Sequence, residues 1–170
     1  GPRIRSNVPP TVLPDAVPED VSKGAMRSYA LSTDLAFYPT PPAVIAAMLR
    51  NTYIEQGARV LEPSAGDGAI VKEVLKTGAR VDAVEVHPTR VAALRGVQRT
   101  HLNGARLTVQ EANFLHVPAA PIYDYVVMNP PFCGTHWMAH VRHAFDFLKP
   151  GGMLHAVLPV SAELGTSAKH

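Results

Sequence analysis

Cysteine is almost missing from this 170-residue chain, with Cys133 as its one representative. That scarcity excludes an internal disulfide framework and any four-cysteine zinc site, so stability is expected from an apolar core in a reducing, cytoplasmic setting. Long apolar runs are missing too. No stretch approaches the roughly eighteen consecutive apolar residues of a membrane span, and no signal-peptide pattern opens the chain. Nor is there a surplus of one charge. Sixteen Lys and Arg face fourteen Asp and Glu, a formal net charge of +2, too mild to indicate nucleic-acid binding unless a site does so. What is present is a globular balance, 46% hydrophobic and 18% charged, which predicts one compact domain.

Prolines at positions 2, 9, 10, 14 and 18 forbid a regular helix at the start of the chain. Residues 1–36 therefore read as a proline-rich linker or surface strap, with a short helix over 23–29 as its one candidate element, and residues 37–170 as the domain. Gly1-Pro2 in place of a methionine leads to the expectation of a piece of a longer polypeptide. The pattern sharpens at Tyr38-Pro39-Thr40-Pro41-Pro42, where Thr40 is placed as an N-cap and the following prolines in the first turn of a helix reaching Tyr53. Strands are then expected over 59–62, 81–86, 107–111, 125–128 and 153–158. Helices are expected over 69–77, 89–98 and 136–148. Apolar strands alternating with helices indicate a doubly wound, mostly parallel α/β sheet, whose ligands sit beyond the carboxyl ends of its strands.

Those ends carry the informative residues. After the first strand comes Glu62-Pro63-Ser64-Ala65-Gly66-Asp67-Gly68, where two glycines let the backbone approach a ligand while a helix opens with exposed N–H groups. It is not the dinucleotide fingerprint, and Glu62 would repel a pyrophosphate, so a cationic nucleotide-like cofactor suits it better. The alternative is an ordinary tight turn with an acidic cap. Glu85 closes the second strand, where a carboxylate can accept from ribose hydroxyls. Asn113-Phe114 follows the third strand and could read and sandwich an adenine, although without context both residues read as turn and core. The fourth strand ends in Asn129-Pro130-Pro131-Phe132. Prolines without N–H groups leave nearby carbonyls to accept from a ligand, Asn129 adds an amide oxygen, and Phe132 offers a flat face, a set suited to a planar NH2-bearing group.

Taken in order, Phe37-Tyr38-Pro39-Thr40-Pro41, Glu62 to Gly68, Glu85, Asn113-Phe114 and Asn129-Pro130-Pro131-Phe132 resemble the S-adenosylmethionine-dependent amino methyltransferases, most closely the DNA adenine-N6 family in its gamma motif order. The resemblance implies a Rossmann-like class I methyltransferase sheet. It implies that Tyr38 and Thr40 hold the methionine end of the cofactor, with Glu62, Ser64, Gly66 and Gly68 in the loop beneath it. Glu85 would bind the ribose, Asn113 the adenine, and Phe114 with Val86 would pack on its faces. In the implied acceptor site Asn129 and the Pro130 carbonyl accept from the amine, and Phe132 stacks a base flipped out of duplex DNA. Because Asn-Pro-Pro-Phe also marks RNA guanine-N2 and protein glutamine methyltransferases, those remain the alternatives, along with a degenerate cofactor- or nucleic-acid-binding domain of a larger protein.

Other residues receive plainer expectations. His136, His140 and His143 share one helix but lack an acidic partner, so no metal is expected and they read as solvated. Trp137 is expected to pack. Arg90, Arg95, Arg99 and Arg106 read as a solvated basic face. Of the two hairpin strands that complete a sheet of the resembled class, no pattern is visible after Leu158. The fifth strand is therefore expected to be an edge, covered by the rest of a longer polypeptide or by a partner chain.

Overall fold

The computed structural model describes residues 40–50, 52–130 and 136–157. Helix α1 covers Pro42–Arg50, strand β1 Arg59–Glu62, α2 Ala69–Leu75, β2 Arg80–Glu85 and α3 Pro88–Thr100. Strand β3 runs over Leu107–Glu111, β4 over Tyr123–Met128, α4 over His136–Phe145 and β5 over Leu148–Ala156, with 3-10 turns at Gly104–Arg106 and Phe114–His116. All neighbouring strands pair in parallel, in the order β3-β2-β1-β4-β5. The expected doubly wound α/β sheet is what forms. The expected helix over 23–29 lies outside the described residues, and no described helix is long and apolar enough to cross a membrane.

The alternation of side chains along each strand divides the core between the two faces. Val60, Val81, Ala83, Leu107 and Val127 pack on one side against Ile45 of α1, Ile70, Val71, Val74 and Leu75 of α2, and Leu94 and Val97 of α3. Leu61, Val84, Val126 and Met128 face the other side, where Trp137, Met138, Val141 and Ala144 of α4 cover them. Trp137 is thus a packing residue, 6% exposed. Central strands buried on both faces need apolar residues at nearly every position, which is why Val60-Leu61 and Val126-Val127-Met128 read as continuous runs.

Several boundaries differ from expectation, each for a hydrogen-bonding reason. The Pro41 carbonyl, rather than the Thr40 side chain, receives the first N–H groups of α1, from Val44 at 3.0 Å and Ile45 at 3.1 Å. That helix stops at Arg50 instead of continuing to Tyr53. Strands β4 and β5 both begin earlier than expected because Tyr123 pairs with Leu148. Register then shifts so that Tyr125 pairs with Met153, and the Lys149-Pro150-Gly151-Gly152 turn is absorbed as a bulge within β5. Helix α4 ends at Phe145, three residues short of the expected end, where the chain turns into β5. Among the described strands β5 is an edge, with Met153 53% exposed.

Candidate functional site

The strand order reverses direction between β1 and β4, and the carboxyl ends of these two strands define the crevice where such sheets bind ligands. Glu62 ends β1 fully buried. Its Oε1 accepts from the Ser64 N–H at 3.1 Å, while Oε2 is buried without a hydrogen-bond partner. Burial pushes the Glu62 carboxyl well above its ordinary pKa; the Ser64 N–H opposes that shift and the nearby Glu85 charge adds to it. The loop then turns through Gly66 at φ +57° and Gly68 at φ +99°. At Gly68 a Cβ would stand 3.2 Å from Leu94 Cδ2 and 3.3 Å from Val97 Cγ2, so glycine serves both the left-handed backbone and the close approach of the loop to α3.

Glu85, at the end of β2, holds this loop in place. Its Oε1 accepts from the Gly66 N–H at 2.8 Å, and its Oε2 accepts from the His87 N–H at 2.9 Å and lies 3.6 Å from Arg90 Nη1. Both members of that ion pair are buried, at 8% and 5% side-chain exposure. This corrects the expectation for Arg90, which belongs to the interior; Arg95, Arg99 and Arg106 are exposed as expected. Arg90 is a site residue that sequence reasoning missed. Its signal was its place in the first turn of the helix that follows a strand-ending glutamate.

Beyond β3, Asn113 is 6% exposed. Its Oδ1 accepts from the Leu115 N–H at 3.0 Å and caps the 3-10 turn, whereas Nδ2 is buried without a partner. The next residue, Phe114, is 2% exposed and sits within the α4-side core, its ring centroid 4.9 Å from that of His143 and 5.1 Å from that of Phe147. So enclosed a ring is held in place by the core of the α4 side.

Two histidines of α4 also depart from expectation. His140 is 3% exposed, its Nδ1 lies 3.3 Å from Ser64 Oγ, and its ring is 5.7 Å from that of Phe114. His143 is half-buried, with Nε2 2.8 Å from the Val117 carbonyl. They are interior residues rather than solvated ones, because α4 presents His140 on the same helical stripe as Trp137, Val141 and Ala144. Among the described residues no group of three or more His, Cys, Asp or Glu could hold a metal ion.

At the end of β4 the Asn129 Nδ2 donates to Thr40 Oγ1 at 2.8 Å, joining the segment before α1 to the Asn-Pro-Pro-Phe motif. Pro130 is buried. Tyr38 and Phe132 lie outside the described residues. The structure thus gathers Thr40, Glu62, Ser64, Gly66, Gly68, Glu85, Asn113, Asn129 and Pro130 at one end of the sheet. Two of its buried polar atoms lack partners, a carboxylate oxygen suited to a cation and an amide N–H suited to an acceptor nitrogen, which fits a cationic, adenine-bearing ligand. An open groove of about 380 Å³ lies at the opposite end, lined by Glu55, Asp124, Lys149 and Met153 among others.

Known proteins place this geometry in a family. The methyltransferase small domain family matches residues 43–166. An uncharacterized protein of Mycobacterium tuberculosis is 34% identical over 136 residues, covering 78% of this chain and 47% of that protein. The chain spans about half the length of the curated relatives it matches. Among solved structures, the S-adenosylmethionine-dependent O-methyltransferase TM0748 of Thermotoga maritima superposes with a TM-score of 0.65 at 17% identity, covering 78% of this chain and 50% of that one. Coclaurine N-methyltransferase, bound to N-methylheliamine and S-adenosylhomocysteine, superposes at 0.59 with 19% identity, covering 71% and 38%. These likenesses show the class I Rossmann-like methyltransferase fold. The chain belongs to the methyltransferase small domain family, whose cofactor is S-adenosylmethionine.

Proposed function

We propose that this domain methylates an exocyclic amine, and that the amine is N6 of adenine in DNA, flipped out of the duplex for the reaction. The observation that carries the reading is Asn129. It follows β4 at the switch point beside the Glu62 loop, its amide already engaged through Nδ2, with the buried Pro130 next to it. The Asn129 Oδ1 and the Pro130 carbonyl can then accept from an amine whose lone pair is delocalised into its ring. Those bonds favour a pyramidal nitrogen and stabilise the positive charge that grows on it. Bound S-adenosylmethionine supplies a sulfonium methyl, whose transfer forms a C–N bond, breaks the C–S bond with its electron pair left on sulfur, and releases one proton from nitrogen to solvent.

On the cofactor side, Glu62 faces the methionine end and Asn113 Nδ2 donates to an adenine nitrogen. Glu85 offers its remaining lone pairs to the ribose while it holds the loop through Gly66. The resemblance adds Tyr38 beside the methionine end and Phe132 as the stacking platform for the target base.

The test is methyl incorporation from labelled S-adenosylmethionine into adenine-containing DNA, RNA and protein offered side by side. Label recovered as N6-methyladenine in DNA is expected; label found only in RNA or in protein glutamine overturns the adenine reading. Asn129→Ala is expected to cut transfer by about a hundredfold or more. The same variant should leave S-adenosylhomocysteine affinity within about twofold, because Asn129 acts on the acceptor. Equal loss of cofactor binding would mean that Asn129 belongs to the cofactor site.

A further inference from the structure

Glu62 and Glu85 end the adjacent parallel strands β1 and β2, and both are buried, at 1% and 5% exposure. Glu85 is well provided for: Oε1 accepts from the Gly66 N–H at 2.8 Å, and Oε2 accepts from the His87 N–H and lies 3.6 Å from Arg90 Nη1 of α3. Glu62 is not. Its Oε1 accepts from the Ser64 N–H at 3.1 Å, while Oε2 is buried without a hydrogen-bond partner among the described residues. The other titratable groups nearby are engaged elsewhere, since His140 of α4 meets Ser64 Oγ at 3.3 Å and the exposed Asp67 accepts from the Ala69 N–H at 3.3 Å. Two buried carboxyl groups therefore share one end of the sheet, and the guanidinium there stands beside Glu85.

A buried carboxyl group with one oxygen unpartnered is costly to ionise, and a second carboxylate on the next strand makes it costlier. Burial is the first cause that raises the Glu62 pKa, the Ser64 N–H opposes it, and the Glu85 charge adds to it. A proton is the simplest remedy. We propose that Glu62 is a specificity-determining residue of the cofactor pocket that exchanges a proton for the positive charge of S-adenosylmethionine, so that a cationic ligand is chosen over a neutral nucleoside thioether. On binding, the Glu62 O–H bond breaks with its electron pair left on oxygen, the proton goes to solvent, and the carboxylate pairs with the ammonium or sulfonium of the ligand. This rests on the cofactor-side reading above, in which Glu62 faces the methionine end. Cofactor and proton then compete for one oxygen, so affinity falls toward acid pH.

The test is calorimetry across pH in buffers of different ionisation heat, which counts protons released on binding. Three ligands are compared: S-adenosylmethionine carries ammonium and sulfonium, S-adenosylhomocysteine carries the ammonium, and methylthioadenosine carries neither. Wild-type protein is expected to release about one proton per S-adenosylmethionine on the acid side, with affinity rising by up to about tenfold per pH unit and levelling off once free Glu62 has lost its proton. The same release with S-adenosylhomocysteine assigns the exchange to the ammonium, and its absence there assigns it to the sulfonium. Methylthioadenosine is expected to release no proton and to bind with an affinity that does not change with pH. Glu62→Gln is expected to abolish the release and flatten the profile for the charged ligands. No release by wild type at any pH overturns the proposal, and so does an equal release with methylthioadenosine; both comparisons use wild-type protein alone. Release that persists in Glu62→Gln while affinity weakens overturns the exchange and keeps Glu62 beside the cofactor. An affinity unchanged in Glu62→Gln at every pH overturns the cofactor-side reading of Glu62 together with the exchange.

Discussion

The two ends of the sheet treat their polar groups in opposite ways. Toward the amino-terminal half, Asp82 accepts from Arg59 Nη2 at 3.2 Å, from the Tyr123 hydroxyl at 2.6 Å and from the Thr108 hydroxyl at 2.6 Å. Asp124 likewise accepts from the Arg59 N–H at 2.8 Å and from Lys149 at 3.0 Å. Both carboxylates are saturated by the protein itself. At the carboxyl end, Glu62 Oε2 and Asn113 Nδ2 are more deeply buried than either carboxylate and have no partner. Buried polar atoms without partners cost stability, on the order of 1 to 3 kcal/mol each. A fold that satisfies Asp82 from three sides while leaving Glu62 half-satisfied has been shaped at that end for a ligand rather than for itself.

Glu85 is where the comparison can be broken most severely, because it sits at the ligand end yet is satisfied in the manner of the other end. Removing it takes the Glu85 charge from beside the buried Arg90 and the Glu85 acceptor from the N–H groups of Gly66 and His87. Glu85→Ala is expected to cost about 3 to 5 kcal/mol of stability, read as a fall in denaturation midpoint, together with loss of S-adenosylhomocysteine binding in calorimetry. A variant that keeps its stability and loses only cofactor would show that Glu85 waits for ligand as Glu62 does.

Asp82→Ala is the complementary disruption. It strips the Tyr123 and Thr108 hydroxyls of a shared acceptor, at an expected cost of about 1 to 3 kcal/mol. Tyr123 is held protonated far above the usual phenol range, first by burial and next by its bond to Asp82, so its hydroxyl remains a donor that needs an acceptor. Cofactor affinity should be unchanged. A weakened affinity would mean that the two ends are coupled through β2.

Glu62→Gln sharpens the contrast with a smaller effect of opposite sign. A carboxyl whose folded pKa is raised stabilises the protein below its unfolded value, and that contribution disappears as pH rises through the folded value. Above the unfolded value the wild type therefore carries a penalty that a neutral amide does not, and Glu62→Gln is expected to gain about 1 kcal/mol in the cofactor-free state near neutral pH. The gain should shrink toward acid pH, where Glu62 is protonated. Cofactor affinity should meanwhile fall by about tenfold, the worth of a charge-assisted bond. Parallel melting curves of the two proteins across pH would contradict the burial of an ionisable group at Glu62.

How far the sequence foretold this contrast differs between backbone and side chains. The strands were legible because parallel strands covered on both faces must be apolar throughout, as Val60-Leu61 and Val126-Val127-Met128 are. The strand-end positions followed from the same topology, so Glu62, Glu85, Asn113 and Asn129 could be placed before any contact was known. Partnerships were not legible. Arg90 looks like part of a basic face until α3 turns it toward Glu85, and nothing in the sequence announces that Phe114 packs against His143 and Phe147. His140 lay within reach, since it shares the stripe of Trp137 and Ala144, but its meeting with Ser64 depends on how α4 crosses the sheet. The β5 bulge was hidden for a related reason. Lys149-Pro150-Gly151-Gly152 has the composition of a turn, and only the pairing of Tyr123 with Leu148 draws it into a strand.

The smallest expected effect belongs to the most exposed pair. Lys149 and Asp124 have side chains 48% and 35% exposed, so water and salt screen most of their attraction, and Lys149→Ala is expected to cost less than about 1 kcal/mol. The Asp124 carboxyl is held below its ordinary pKa chiefly by the Arg59 N–H and only secondarily by Lys149. A depressed carboxyl stabilises the fold above its unfolded pKa, and that contribution is lost as pH falls through the folded value. Since the larger cause is a backbone N–H that the substitution leaves in place, most of this acid-linked loss should persist in Lys149→Ala, whereas Asp124→Asn should remove it. Thermal melts of the three proteins from neutral to acid pH, at low and high salt, check the ranking. If Lys149→Ala flattens the acid limb as fully as Asp124→Asn does, the saturation of the amino-terminal end depends on its surface lysine and not on the β1 backbone.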